Sequence, residues 1–155
     1  MAKFIYKMQN ILEIKEKMEN QEKIAFGIAN QKLNEEQEKL QELLVRQAGY
    51  EQRLKELTSG ELDLKEINNC KNAINSMKSF VRDQMIAVHT AQRNLENARI
   101  RMNDAMKERK TQENLKEKAF ENFKQELLAE ESKITDELVS YTYHNNKNNE
   151  ETDSE

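Results

Sequence analysis

The sequence predicts an all-α protein: a long antiparallel two-helix coiled-coil hairpin with an overhanging carboxy-terminal helix and a disordered tail. Three observations carry this. The 155 residues include no proline, no tryptophan and three glycines, against roughly 5 % proline and 7 % glycine in ordinary soluble domains. Charged residues make up 35 % and apolar ones 36 %, too little apolar surface for a compact ball of this size. Finally, apolar residues recur at alternating steps of three and four on both sides of a single interruption, Thr58-Ser59-Gly60-Glu61-Leu62-Asp63, the spacing of a coiled-coil seam.

The first helix is predicted over 4–58, the turn over 59–63 and the second helix over 64–141. Residues 1–143 form one coiled-coil domain in this reading. Gly60 is read as a left-handed helix terminator. Asp63 with Glu66 three residues on reads as an N-cap with its capping-box partner, starting the second helix near Leu64. Gly27 and Gly49 have no second breaker beside them, so the first helix runs through both. The polar stretch 144–155 predicts a disordered tail.

In the second helix Ile67, Ile74, Val81, Val88, Leu95 and Met102 recur every seven residues. Cys70, Met77, Gln84, Ala91, Ala98 and Ala105 form the companion row. In the first, Leu33, Leu40 and Leu54 form one row, with Leu43, Tyr50 and Leu57 as companions. Upstream, Phe4, Ile11, Met18 and Ala25, with Ile14 and Ile28, continue the row only if one extra residue is skipped, a phase shift that local rewinding absorbs. Facing residues of an antiparallel pair have numbers of constant sum. Leu57 with Ile67, Leu54 with Cys70, Tyr50 with Ile74 and Leu43 with Val81 obey this. Beyond the skip, Ile28 with Leu95, Ala25 with Ala98, Met18 with Ala105 and Ile11 with Gln112 obey it with the sum lowered by one. Polar residues interrupt the seam at Gln21, Glu36, Gln47, Gln84, Arg109 and Gln112.

At 1.5 Å per residue the helices span roughly 80 and 115 Å, so the second overhangs the first. The overhang carries its own row, Phe120, Leu127, Ile134 and Tyr141 with Phe123 and Leu138. Lacking an intrachain partner, that row predicts a surface for another protein.

The chemistry of catalysis is missing. His89 and His144 lie far apart, Cys70 has no neighbouring histidine, and the isolated glycines form no phosphate loop. Paired acids such as Glu35/Glu36 and Glu130/Glu131 read as solvated helix faces. The sequence predicts no enzyme, no cofactor and no metal. A single cysteine excludes an intramolecular disulfide and favours a reducing compartment. No apolar run reaches the length of a membrane span, and Met1–Lys7 is too short and mixed for a signal peptide. With 25 basic and 29 acidic residues, net charge −4, nothing draws the chain to nucleic acid or anionic lipid. The basic cluster Arg99, Arg101, Lys107, Arg109 and Lys110 suits an acidic protein surface better. Phe80 and Met85 lie off the seam toward the turn.

The opening string Phe4-Ile5-Tyr6-Lys7-Met8-Gln9-Asn10-Ile11-Leu12-Glu13-Ile14-Lys15 resembles the start of the FliJ family of the flagellar type III export apparatus. The length, the hairpin turn, Tyr50 before it, Arg109-Lys110 and Asp136-Glu137 fit as well, so the resemblance covers most of 3–141. Asn69-Cys70 departs from it, where an aromatic or glutamine is common. The resemblance implies a fold similar to the two-helix stalk of the rotary ATP synthase gamma subunit. It implies a non-enzymatic adaptor of flagellum biogenesis and protein export, and through it of motility and chemotaxis. The partners implied are a hexameric export ATPase of the FliI type, a membrane export gate of the FlhA type, and export chaperones. The location implied is cytoplasmic, peripheral at the membrane face of the flagellar base, without insertion. On this reading Phe4, Met8, Ile11, Phe120, Phe123, Leu127, Ile134 and Leu138 meet the ATPase, and Leu43, Tyr50, Met77 and Phe80 meet the gate. Two other classes compete. A generic coiled-coil adaptor or homodimer would use the unpaired row. A Gre-type transcription hairpin would rest on the acidic tip residues Glu61 and Asp63, but such proteins carry a globular carboxy-terminal domain.

Overall fold

The computed structural model describes residues 2–152. It consists of two long helices packed together, α1 (Gln9–Thr58, 50 residues) and α2 (Leu64–Thr152, 89 residues), with no strand among the described residues. The chain divides into two units: Lys17–Lys107, and Met1–Glu16 with Glu108–Glu155.

The unit Lys17–Lys107 is an antiparallel hairpin. Contacts between its helices fall to lower numbers on α1 as they rise on α2. Arg53 meets Glu66, Tyr50 meets Cys70, Glu36 meets Gln84, and Glu22 meets Arg101. The turn forms where Thr58-Ser59-Gly60 predicts it, but by a different device. No glycine has positive φ. Instead the hydroxyl of Thr58 donates to the carbonyls of Leu54 and Lys55 at 3.1 and 3.0 Å, and that of Ser59 to Glu56 at 3.0 Å. These side chains satisfy carbonyls that the last turn leaves open. α2 then starts at Leu64 on the expected cap. Asp63 Oδ1 accepts the Lys65 and Glu66 main-chain N–H at 3.1 and 3.4 Å. Lys55 in the last turn of α1 and Glu66 in the first of α2 oppose the helix dipoles favourably.

The α2 half of this seam is the predicted one. Ile67, Cys70, Ile74, Ala91, Ala98 and Ala105 are buried, and Met77, Val81, Gln84, Val88, Leu95 and Met102 half-buried. The α1 half corrects the expected skip. From Gln47 back through Leu43, Leu40, Glu36, Leu33, Ala29, Phe26, Glu22 and Glu19, the buried and half-buried positions step by three and four without a skip. Nearer the turn Leu54 and Leu57 continue the phase, Tyr50 between them and Gln47 is exposed, and Ala25 is half-buried beside Phe26. Met18 and Ile28, assigned to the seam upstream of the skip, are exposed, as is Gln21. Keeping one heptad phase avoids a local change of winding, and it brings Glu19 into the seam, buried like Glu36, the polar interruption already expected there. Each is held by a salt bridge to lysine on its own helix, Glu19 to Lys23 at 3.0 Å and Glu36 to Lys32 at 2.8 Å. Buried charge is tolerated only when paired and hydrogen-bonded in this way.

In the other unit α1 begins at Gln9, not Phe4. Residues 2–8 precede the helix, and Gln9 N–H bonds the Tyr6 carbonyl at 3.2 Å. The run Phe4-Ile5-Tyr6 is poor in helix propensity and offers no capping side chain. Leu12 is the buried residue here, with Lys15 half-buried, while Ile11 and Ile14 are exposed. A further correction concerns the tail. α2 continues through His144 to Thr152, and 153–155 lie outside the described residues. Extending an existing helix needs no new nucleation, and neither proline nor glycine interrupts this stretch.

Candidate contact surfaces

The amino-terminal segment and α2 build a cluster in the unit Met1–Glu16 with Glu108–Glu155. Phe4 packs edge-on against Phe120 with ring centroids 5.1 Å apart and tilted against Phe123 at 5.5 Å. Lys124 Nζ stands 4.7 Å over the Phe120 ring, a cation–π contact. Lys116 donates to Gln9 Oε1 at 2.7 Å, and Lys15 pairs with Glu108 at 2.9 Å. The Tyr6 hydroxyl and Gln112 Oε1 are buried here without a hydrogen-bond partner. Phe120 and Phe123 therefore do have an intrachain partner, contrary to the sequence reading. Carried back one heptad, the predicted pairing of Ile11 with Gln112 sets Phe4 opposite Ala119, yet the reading counted Phe120 and Phe123 with the unpaired overhang.

The remaining residues expected at the ATPase divide by burial. Phe123 and Leu127 are half-buried, and Met8 and Ile11 exposed. From Leu128 to Glu151 every residue is exposed, Ile134 at 58 % and Leu138 at 61 %. Threonines on this stretch turn their hydroxyls back to the helix. Thr135 donates to the Glu131 carbonyl at 2.9 Å and Thr142 to that of Leu138 at 2.8 Å. The apolar residues Ile134, Leu138 and Tyr141 stand on an exposed helix face, and Leu127, half-buried, marks the end of the row nearest the aromatic cluster.

The residues expected at the gate lie in the unit Lys17–Lys107. Leu43 and Met77 are half-buried seam residues, whereas Tyr50 and Phe80 are exposed, Phe80 at 52 %. The Cys70 thiol donates to the Tyr50 carbonyl at 3.1 Å, which fixes Cys70 as a packing residue. Leu44, Val45 and Ile86 are further exposed apolar residues of this unit. The sequence reading passed over all three, although each is an apolar residue off both seam rows, the same signal that singled out Phe80 and Met85.

The polar seam layer is the most structured electrostatic feature of this unit. Gln84 Nε2 donates to the Glu36 carboxylate and, at 2.9 Å, to the Glu36 main-chain carbonyl. Lys39 stands 3.6 Å away on the same carboxylate. Hydrogen bonds from Lys32 and Gln84 hold the Glu36 carboxyl down at about 2 against the opposing effect of burial. Among the described residues no cluster of histidine, cysteine or carboxylates is arranged to hold a metal, and no helix is long and apolar enough to cross a membrane.

A pair of long helices whose exposed apolar side chains are spread along their lengths is the architecture of a coiled-coil contact protein. The family profile described as Flagellar FliJ protein matches residues 4–148, and the chain belongs to the FliJ family. Membership carries a role in flagellar protein export. Comparisons with curated proteins and with solved structures returned no match.

Proposed function

We propose that this protein is a non-enzymatic adaptor that links the ring of the export ATPase to the membrane export gate and takes part in handling export chaperones. It works without a cofactor, on the cytoplasmic face of the membrane at the flagellar base. The carboxy-terminal part of α2 overhangs the start of α1 and enters the ATPase ring. Ile134, Leu138 and Leu127 make the main contact, joined by Met8, Ile11 and the Phe4–Phe120–Phe123 cluster. The gate is met by Phe80 and Tyr50, with Leu43 and Met77 supporting them from the seam.

The observation that carries this reading is the exposed row on α2 in a chain of the FliJ family. A helix stripe of isoleucine, leucine and tyrosine without cover is costly in water and is the usual mark of a partner surface. The test is binding to the export ATPase and stimulation of its turnover by the full chain and by I134A/L138A. Both substitutions keep helix propensity, so circular dichroism should not change. Loss of binding and stimulation supports the reading; full retention by the variant contradicts it.

A further inference from the structure

The exposed row of α2 is edged by acid. Glu130 stands three residues after Leu127 and four before Ile134; Glu137 stands three after Ile134 and four before Tyr141. On a helix, residues three and four apart are surface neighbours, so both carboxylates flank the row along one side. Glu131 lies within it, two turns before Leu138. All three are exposed, and none of their carboxylates forms an ion pair or hydrogen bond among the described residues.

This arrangement selects what covers the face. A second copy is a poor occupant. Joining two such faces would bring Glu130, Glu131 and Glu137 of one chain toward their equivalents in a water-poor seam, where like charges repel most. An acidic or neutral apolar groove would leave the three carboxylates desolvated and unpaired. We propose that this face docks into an apolar groove of a partner protein rimmed by lysine and arginine. The groove receives Ile134 and Leu138, and its rim meets Glu130, Glu131 and Glu137. The proposal rests on the reading of this row as a partner surface and adds the chemistry of that partner. In the ATPase reading, the basic rim belongs to the ring.

Two labelled helical peptides of equal length test it. Both carry a leucine heptad row, one flanked by lysine and the other by glutamate, and each is titrated with the full chain by fluorescence anisotropy. The lysine peptide should bind about tenfold or more tighter than its twin, and the difference should shrink as salt screens the rim. I134A/L138A should lose the lysine peptide, and E130Q/E131Q/E137Q should lose the preference between peptides. E130K/E131K/E137K should invert it, which guards against a variant that merely unfolds. Equal binding of both peptides, binding of neither, or unchanged lysine-peptide binding by I134A/L138A would overturn the proposal. So would concentration-dependent dimerisation abolished by I134A/L138A. The ATPase is titrated in parallel. Peptide preference without ATPase binding keeps the basic-rimmed partner and discards the ATPase as its identity. ATPase binding that is indifferent to salt and to E130Q/E131Q/E137Q keeps the ATPase and discards the charged rim.

Discussion

Gln84 of α2 spends one amide group on Glu36 of α1 twice, bonding both its carboxylate and its main-chain carbonyl. This layer sits in the seam of the hairpin, with Glu36 buried and Gln84 half-buried. A polar layer of this kind fixes register at some cost in stability. Removing Gln84 strips buried Glu36 of its cross-helix bonds and leaves it only Lys32 and Lys39 of its own helix, whereas replacing both with apolar residues removes the buried charge. Q84L should therefore lower the melting temperature, while E36L/Q84L should recover it or exceed the wild type. Cross-helix spin-label distances should broaden in the double variant, because the register is no longer pinned. Unbroadened distances would show that the apolar layers alone set the register.

The same carboxyl gives a pH signature. Its folded value of about 2 lies below the ordinary 4.5, so the folded state binds this proton less readily than the unfolded chain does. The stability it contributes is present in full above about 4.5 and is lost as pH falls toward 2. E36Q should flatten this part of the stability–pH curve, measured by urea melts between pH 5 and pH 2. An unchanged slope would mean that the Lys32 and Gln84 bonds do not persist in solution.

Core and surface isoleucines on one helix should separate cleanly. Ile74 is 7 % exposed and Ile86 61 %. I74A should cost about 2–4 kcal/mol, as buried truncations do, and I86A less than about 0.5 kcal/mol. Equal losses would place the seam elsewhere on α2.

A Cβ added at Gly49 meets nothing within 4 Å, and the residue lies inside α1. G49A should raise stability by about 0.5–1 kcal/mol, since alanine restricts the unfolded chain and favours helix. A loss in chemical denaturation would mean that α1 is broken at this point.

Phe4 anchors the non-helical segment 2–8 through Phe120 and Phe123. F4A removes an aromatic cluster worth roughly 0.5–1.5 kcal/mol beyond its buried area. Tryptic cleavage after Lys7 should then accelerate, while cleavage sites within Lys17–Lys107 keep their rates.

How far the fold was legible depends on what fills the seam. On α2 the apolar rows from Ile67 to Met102 coincide with the buried residues, because nothing competes with them for the seam. On α1 the same rule picks the wrong row upstream of Leu33. Met18 and Ile28 are apolar and exposed, whereas Glu19 is charged and buried and Glu22 half-buried. Periodicity weighs side chains one at a time. The register is decided instead by continuity with the leucines nearer the turn, by lysines that satisfy the acids, and by the small Ala91, Ala98 and Ala105 across the seam. The turn was legible through Asp63, but its closure by Thr58 and Ser59 hydroxyls was not, since glycine is the stronger sequence signal. The exposed row of Ile134 and Leu138 was readable from spacing alone. The pairing of Ile11 with Gln112 sets Phe4 opposite Ala119, beside Phe120 and Phe123; what spacing did not give is that residues 2–8 precede the helix and that Phe4 covers both rings.

The central claim, that one chain joins two partners through two separate surfaces, is tested most directly by bridging. The export ATPase is immobilised, and the cytoplasmic domain of the export gate is offered with and without the full chain. The wild type should carry the gate domain onto the ATPase. I134A/L138A should bind the gate domain alone, and F80A the ATPase alone. Bridging that survives both sets of substitutions, or a wild-type chain that binds neither partner, would contradict the account.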